Sequence, residues 1–418
     1  MDFIKKFGEM VGAKALVDPQ NARRLLLTGY RLQEKKLKFF PDKSLPASGQ
    51  YVARIVMHNI IKALARPDDA ALVSIFTPGE LLTAAGITPY SVEAMSCFLA
   101  GTKCEQAFLA QTEKEGFPET MCSYHRVFLG AALTGLVPEP KCTIYTNLAC
   151  DGNMMTFPYL KDKYNIPGFY IDVPYEKSRE SVLYVASQLR ELKTFLEDVS
   201  KKKIDEESVK EVVCRSKEAA EYYRRQLSLR KRRNPISTLT NELYALFMCH
   251  LLAGAPESVK YTKLLLEDVE NTPEAESKRI LWMHMMPFLQ NPVKDIFNGS
   301  SEIHITACDF VVDGFQQMKS DDPYEALAEK MVYCIYNGSV TERIEKDIEL
   351  AELTGADGGV LFAHWGCKNT IGASGLIKDA MENAGFPTMI LDGDGCNPAN
   401  TSDGQVATRL QAFLEMLE

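Results

Sequence analysis

The chain has 418 residues, which is too many for one small core and predicts two or three domains. Its residues are 46% hydrophobic, 25% charged and 9% aromatic, a globular composition that excludes a disordered, collagen-like or coiled-coil protein. The formal net charge of −9 argues against nucleic acid as a partner, and no apolar run reaches the roughly 18 residues of a membrane span. We therefore expect neither a nucleic-acid partner nor a membrane contact.

Eleven cysteines are far fewer than a disulfide scaffold of this length would carry. Residues 1–14 are amphipathic and lack the long apolar stretch of a secretory signal. We therefore expect a cytoplasmic protein with reduced thiols. Reduced cysteines are either small buried residues or ligands, and their positions in the chain have to decide between the two.

Residues 1–70 are predicted to form an N-terminal helical segment, with helices over 21–36 and 50–65. Residues 71–200 are predicted to form a first α/β domain. Its expected strands are short apolar, β-branched and aromatic runs at 71–76, 142–147 and 168–173.

From residue 179 to about residue 229, apolar residues recur at steps of three and four, which indicates helix. Residues 201–295 are accordingly expected to be a helical connection. The second α/β domain is predicted over 296–418, with strands at 303–307, 359–363 and 388–391. Apolar strands that alternate with helices imply parallel sheets covered on both faces, so the fold class is α/β with two flavodoxin-like or Rossmann-like domains.

Four cysteines follow predicted strands closely, and ligands of open parallel sheets bind beyond the carboxyl ends of the strands. These four are Cys150, Cys308, Cys367 and Cys396. We expect a cleft between the two sheets to gather them. The alternative for each is a small apolar residue buried under a loop.

Cys122 precedes an apolar helix and lies near Arg126, a setting that stabilises the thiolate form of cysteine. Structural zinc sites show close C-x-x-C pairs, and the sequence has none. Widely spaced single cysteines suit an iron–sulfur cluster better. The cysteines expected only to pack are Cys142, Cys214, Cys249 and Cys334, whereas Cys97 and Cys104 are ambiguous.

Five segments, taken in order, carry a family likeness: TPGELLTAAGITP, CSYHRVFLG, NLACDG, HWGCK and LDGDGCNPANTSDGQVATRLQAFLE. In this order the sequence resembles the 2-hydroxyacyl-CoA dehydratase and benzoyl-CoA reductase superfamily. The resemblance implies two α/β domains with a [4Fe–4S] cluster between them, held by Cys122, Cys150 and Cys367. It also implies low-potential one-electron reduction of a bound acyl-CoA or small-molecule substrate, after activation by a separate ATP-dependent iron–sulfur protein. No G-x-x-x-x-G-K-[ST] loop occurs in this chain, which agrees with a separate activator.

Two alternatives stay open. Most members of the superfamily pair two paralogous subunits, but the double-cubane branch is similar, homodimeric and reduces small molecules with an 8Fe-9S cofactor held by six cysteines. Such a set is available here from Cys122, Cys150, Cys367, Cys308, Cys396 and one of Cys97 or Cys104. The second alternative is a non-catalytic α/β binding or assembly protein with ordinary buried thiols.

His125 and His364 neighbour two of the expected ligands, so each is a candidate for donating a proton or a hydrogen bond at the cluster. The alternative for each is a hydrogen-bonded structural histidine. Arg126 is the third candidate catalytic residue, because it could offset cluster charge or hold an anionic substrate. Its alternative is an ion pair with a carboxylate.

Overall fold

A computed structural model describes residues 3–417 of the chain, which form eight β-strands in two sheets and nineteen α-helices. The strands are β1 (Ala70–Val73), β2 (Thr88–Ser91), β3 (Cys142–Thr146), β4 (Gly168–Ile171), β5 (Lys278–Met283), β6 (Ile303–Cys308), β7 (Gly358–His364) and β8 (Thr388–Gly393). The helices before β5 are α1 (Phe3–Ala15), α2 (Pro19–Phe39), α3 (Ala47–Ala65), α4 (Gly79–Ala85), α5 (Val92–Gly101), α6 (Glu105–Lys114), α7 (Ser123–Leu133), α8 (Asn153–Tyr164), α9 (Arg179–Ser200), α10 (Glu206–Leu227), α11 (Leu239–Leu251) and α12 (Pro256–Asn271). Those after β5 are α13 (Asn291–Phe297), α14 (Asp309–Gly314), α15 (Pro323–Val332), α16 (Val340–Thr354), α17 (Lys368–Ile371), α18 (Ser374–Asn383) and α19 (Asp403–Met416).

The two sheets have the same parallel topology. The first has the strand order β2-β1-β3-β4 and the second the order β6-β5-β7-β8, and all six strand pairings are parallel. In each sheet the chain moves outward first to one side and then to the other, so a crevice opens at the carboxyl ends of the two central strands. The predicted fold class, α/β with two Rossmann-like parallel-sheet domains, is confirmed.

Helices cover the sheets, and the strands are buried accordingly. All seven residues of β7 and all four of β1 are buried, which explains their continuous apolar sequences. Burying a large apolar side chain, such as Trp282 on β5 or Phe362 on β7, stabilises a fold by about 1.5–3 kcal/mol. The central strands of the second sheet are therefore firmly held in the core.

Two strands were missed by the sequence analysis. β2 contains Pro89, which depresses strand propensity in general but is tolerated here because β2 is an edge strand. β5 begins with the cations Lys278 and Arg279 and lies inside the range that we expected to be a helical connection. The second sheet therefore begins before residue 296, while the proposed domain limits at 70, 200 and 295 stay predictions.

The N-terminal helical segment is present as α1, α2 and α3, and α2 begins where Asp18 caps it by accepting the amide of Asn21. All eleven cysteines of the chain are free thiols. Within residues 3–417, no helix combines the length and the apolar character that crossing a bilayer requires.

Candidate active site

A cavity of about 590 Å³ lies between the two sheets, at the carboxyl ends of their strands. Its wall includes the segments that follow β1 and β3 in the first sheet and those that follow β5, β6 and β7 in the second. A pocket of this size at a topological switch point is the usual ligand site of a parallel α/β protein. The parallel topology thus predicts where ligands bind, and the side chains there decide which ligand.

Three cysteines line this cavity, and each lies at or near the start of a helix. Cys122 directly precedes α7, Cys367 directly precedes α17, and Cys150 comes three residues before α8. Close backbone contacts hold the segments together. A Cβ on Gly366 would lie 2.7 Å from the amide nitrogen and Cα of Cys122, and a Cβ on Gly152 would lie 2.7 Å from Nε2 of His125.

An imidazole nitrogen faces each of the three sulfurs. Nε2 of His364 lies 3.2 Å from Sγ of Cys122, and Nε2 of His125 lies 3.3 Å from Sγ of Cys150. Sγ of Cys367 lies 3.7 Å from Nε2 of His284. His125 and His364 therefore each contact a cysteine of the cavity, but not the one that each neighbours along the chain. Their catalytic roles stay predictions.

The tautomer of His364 follows from its second nitrogen. The amide of Gly395 donates to Nδ1 of His364 at 3.1 Å, so the neutral ring carries its proton on Nε2, which faces Cys122. Nδ1 of His125 is 2.8 Å from the hydroxyl of Thr156, which holds that ring in place. Both rings therefore direct a fixed nitrogen at sulfur.

His284 was not predicted, because the strand that places it, β5, was itself missed. It has a left-handed backbone with φ of 78°, and its amide donates to Oδ1 of Asp309 at 2.7 Å. Asp309 also accepts from Arg343, whose Nη2 lies 2.9 Å from Oδ2. This buried pair holds the strained residue whose ring contacts Cys367.

Burial and proximity disfavour the thiolate forms of Cys122 and Cys150 unless a cation compensates their charge. Burial, followed by the neighbouring sulfurs of Cys150 and Cys367, raises the pKa of the Cys122 thiol well above its usual value. Burial is also the main reason that the pKa of the Cys150 thiol is raised, with Glu93 and Cys367 adding to it.

Backbone amides at the helix starts act in the opposite direction. Amide groups of Tyr124 and His125 lower the pKa of Cys122, and those of Gly152 and Asn153 lower the pKa of Cys150. These donors are the groups that hydrogen-bond to metal-bound thiolate sulfur.

The three cavity thiols are donors of the type that iron–sulfur clusters use. Among residues 3–417, no three His, Cys, Asp or Glu side chains converge closely enough to bind one ion. In an iron–sulfur cluster each cysteine binds a different iron, and the thiols of three cysteines line this one cavity. Soft thiolate donors with amide hydrogen bonds match this group, and Cys122, Cys150 and Cys367 are the residues that would hold it.

The other expected ligands lie outside the cavity wall. Sγ of Cys308 donates to the carbonyl of His284 at 3.3 Å, and Sγ of Cys396 is 3.6 Å from the carbonyl of Ser96. Cys97 and Cys104 are buried, and the thiol of Cys104 donates to the carbonyl of Leu99. Their ligand role stays a prediction.

Arg126 lies on α7, where it is buried, and does not line the cavity. It forms an ion pair with Glu113 and donates to the carbonyl of Glu119 at 3.2 Å. This is the alternative that its sequence context left open, an ion pair with a carboxylate. Its contacts hold the segment before Cys122, so a catalytic role for Arg126 stays a prediction that these contacts do not favour.

Glu93 is a cavity residue that the sequence analysis missed. It lies in the first turn of α5, has 7% of its surface exposed, and its Oε2 has no hydrogen-bond partner. Burial raises the pKa of Glu93 to about 7. Carboxylates are common in the first turn of a helix, because their charge interacts favourably with the helix dipole. Only its burial at the cavity therefore distinguishes Glu93.

The protein is thus of the parallel α/β class, with two sheets and a site lined by cysteine thiols between the carboxyl ends of their strands. Residues 74–417 match the sequence profile of 2-hydroxyglutaryl-CoA dehydratase, D-component, and the chain belongs to this family of enzymes. The superfamily resemblance that the motifs indicated is thereby confirmed. Membership of an enzyme family does not support the alternative of a non-catalytic binding or assembly protein.

Curated relatives agree with this assignment. The chain is 23% identical over 367 residues to the (R)-phenyllactyl-CoA dehydratase alpha subunit of Clostridium sporogenes, covering 81% of this chain and 87% of the relative. It is 24% identical over 394 residues to the alpha subunit of lactoyl-CoA dehydratase of Anaerotignum propionicum, covering 85% and 92%. It is 22% identical over 388 residues to a benzoyl-CoA reductase subunit of Thauera aromatica, covering 83% and 89%. All three relatives are named as enzyme subunits.

Proposed function

We propose that this chain is the cluster-bearing subunit of a 2-hydroxyacyl-CoA dehydratase-type enzyme. Cys122, Cys150 and Cys367 would hold a [4Fe–4S] cluster, and one iron without a cysteine ligand would face the substrate. When bound, this group supplies low-potential one-electron reduction. The observation that carries the proposal is that three cysteines, far apart in sequence, line one cavity, each with an imidazole nitrogen against or near its sulfur.

The chain's own residues would shape the chemistry around that group. His364 presents its Nε2 proton to the sulfur of Cys122, which stabilises negative charge on that sulfur. Glu93 lines the cavity and its Oε2 has no hydrogen-bond partner in the protein, so this carboxyl is a candidate to take a proton from, or give one to, a bound substrate. Aromatic walls around these groups exclude water and strengthen their electrostatic interactions.

Two partners belong to the proposal. A separate ATP-dependent iron–sulfur activator would supply the electron, since the sequence has no P-loop of its own. A further chain would complete the enzyme, because all three relatives are named as enzyme subunits. We propose a heterodimer with a paralogous chain, acting on an acyl-CoA substrate, in the cytoplasm.

The homodimeric double-cubane reductase is the alternative, and the thiol contacts argue against it. Six ligands would require Cys308 and Cys396 to leave the main-chain carbonyls of His284 and Ser96 and turn toward the cavity. Both cysteines are buried, so this rotation would disturb packed surroundings.

Metal analysis of anaerobically purified protein tests the proposal. We expect about four irons and four sulfides per chain, whereas about eight irons would support the double-cubane alternative. Replacing Cys150 with Ser should remove most of the iron and the visible absorbance. Cys214→Ser is the matched control, because Cys214 is exposed on α10 and should leave both unchanged. Full iron content in Cys150→Ser would contradict the ligand assignment.

A further inference from the structure

We propose that the cavity takes an uncharged, apolar acyl group and rejects one that ends in a carboxylate. The inference rests on the proposed function, because it concerns the acyl part of a CoA thioester bound at the same site. It follows from the walls of the cavity rather than from the cysteines.

One wall of the cavity is a packed aromatic cluster contributed by both sheets. Phe76 follows β1, and its ring stacks on Phe310, which follows β6, with ring centroids 5.2 Å apart. Tyr336 packs against both rings, with centroid distances of 4.8 Å to Phe310 and 5.9 Å to Phe76. Leu246 and Met285 extend this wall. Such a surface gains free energy by burying an aliphatic or aromatic group and offers no positive charge to an anion.

The charges around the cavity complete the argument. Among the described residues that line it, there is one lysine and no arginine. That lysine, Lys368, lies at the mouth with 84% of its side chain exposed and pairs with Asp151 at 3.1 Å.

The buried arginines near the cavity are already paired with carboxylates of the protein. Arg126 pairs with Glu113, and Arg343 pairs with Asp309 at 2.9 Å. Neither arginine lines the cavity.

The remaining polar side chains do not replace a cation. The three imidazoles direct Nε2 at cysteine sulfurs, so these nitrogens are engaged by the thiols. Glu93 adds an unpartnered carboxyl oxygen and no positive charge. The unpartnered hydroxyls of Tyr124 and Tyr336 could offer a carboxylate only neutral hydrogen bonds. A carboxylate brought into this cavity would therefore lose its hydration without gaining a cationic partner, a cost that specificity sites use to reject ligands.

Binding of two isosteric thioesters tests the inference. The probes are 5-methylhexanoyl-CoA and glutaryl-CoA, which differ in replacing a terminal isopropyl group with a carboxylate, and neither carries the hydroxyl that would react. Titration calorimetry would be done on the full chain, purified anaerobically with any subunit that co-purifies. We expect 5-methylhexanoyl-CoA to bind at least tenfold more tightly.

The outcomes separate this inference from the proposed function. Equal affinity, or tighter binding of glutaryl-CoA, would overturn the selectivity while still supporting a CoA thioester site. If neither thioester binds, the thioester substrate of the proposed function is wrong, and the selectivity falls with it.

A pair of variants on α8 locates the acyl group. Met155 lines the cavity and Met154 does not, and the two are similarly exposed, at 40% and 44%, so lysine is tolerated at either position. Met155→Lys supplies the missing cation and should shift the affinity ratio toward glutaryl-CoA by at least fivefold. Met154→Lys should leave the ratio unchanged. An unchanged ratio in Met155→Lys would place the acyl group elsewhere and overturn the inference.

Discussion

Gly366 lies directly against the main chain of Cys122, although the two are 244 residues apart in the sequence. A Cβ on Gly366 would be 2.7 Å from both the amide nitrogen and Cα of Cys122, and the φ of Gly366 is +79°. The contact joins the loop after β7 in the second sheet to the start of α7. It therefore sets how closely Cys122 and Cys367 approach.

Gly366→Ala should separate these two cysteines. The added methyl group cannot be accommodated against backbone, so we expect loss of most of the bound iron together with lower stability. Gly385→Ala is the control, because Gly385 also has a positive φ, +91°, but no atom within 4 Å of its Cβ position. This control should cost about 1–2 kcal/mol of backbone strain and keep its iron. Equal iron content in the two variants would contradict a positioning role for Gly366.

Glu93 should make stability depend on pH in a defined window. Burial raises the pKa of Glu93 from 4.5 to about 7. The folded state therefore keeps a proton on Glu93 that the unfolded state releases above pH 4.5. The resulting contribution to the free energy of unfolding is complete below pH 4.5 and is lost as the pH rises to about 7.

In Glu93→Gln this part of the pH dependence disappears. We expect the drop in unfolding free energy between pH 5 and pH 8 to be smaller in the variant by roughly 2–3 kcal/mol. Urea denaturation of the metal-free protein at several pH values measures it. An identical pH dependence in both proteins would show that Glu93 is not buried as described.

Breaking a buried ion pair should cost far more than breaking an exposed one. Arg343 and Asp309 have 2% and 0% of their side chains exposed, and removing the arginine leaves a buried carboxylate without its partner. Arg343→Met is expected to lower the unfolding free energy by about 3–5 kcal/mol and to loosen His284.

The exposed pair of Lys368 and Asp151 is the comparison, with 84% and 75% of the side chains exposed. Lys368→Met should cost less than about 1 kcal/mol. Chemical denaturation of both variants compares the two pairs directly. A similar cost for the two would mean that Arg343 and Asp309 are hydrated.

Alkylation of the metal-free protein should distinguish the site thiols from a surface thiol. Burial raises the pKa of Cys122 and Cys150, which lowers the reactive thiolate fraction, and both are only partly accessible. Cys214 is exposed and should be labelled at least tenfold faster at pH 8. Peptide mass spectrometry after timed iodoacetamide treatment gives the rates, and equal labelling of Cys122 and Cys214 would contradict the described burial.

Local sequence determined much of the architecture. Continuous apolar runs specify strands such as β3 and β7, because a strand buried on both faces needs apolar residues at every position. Parallel pairing then places the residues that follow each strand at the same edge of the sheet. For this reason Cys150 and Cys367 could be predicted to lie in the cleft from their positions shortly after a strand. The ordered motifs predicted the family.

Only the tertiary structure decided which side chains share the cavity. Cys150 and Cys308 were both expected just beyond the end of a strand, yet Cys150 lies in the loop after β3 and lines the cavity, whereas Cys308 is the last residue of β6 and donates to a carbonyl. Glu93 and His284 are ordinary in sequence and become distinctive only through burial beside the thiols. Long-range contacts of this kind have no local signal, since the residues that create them are far apart along the chain.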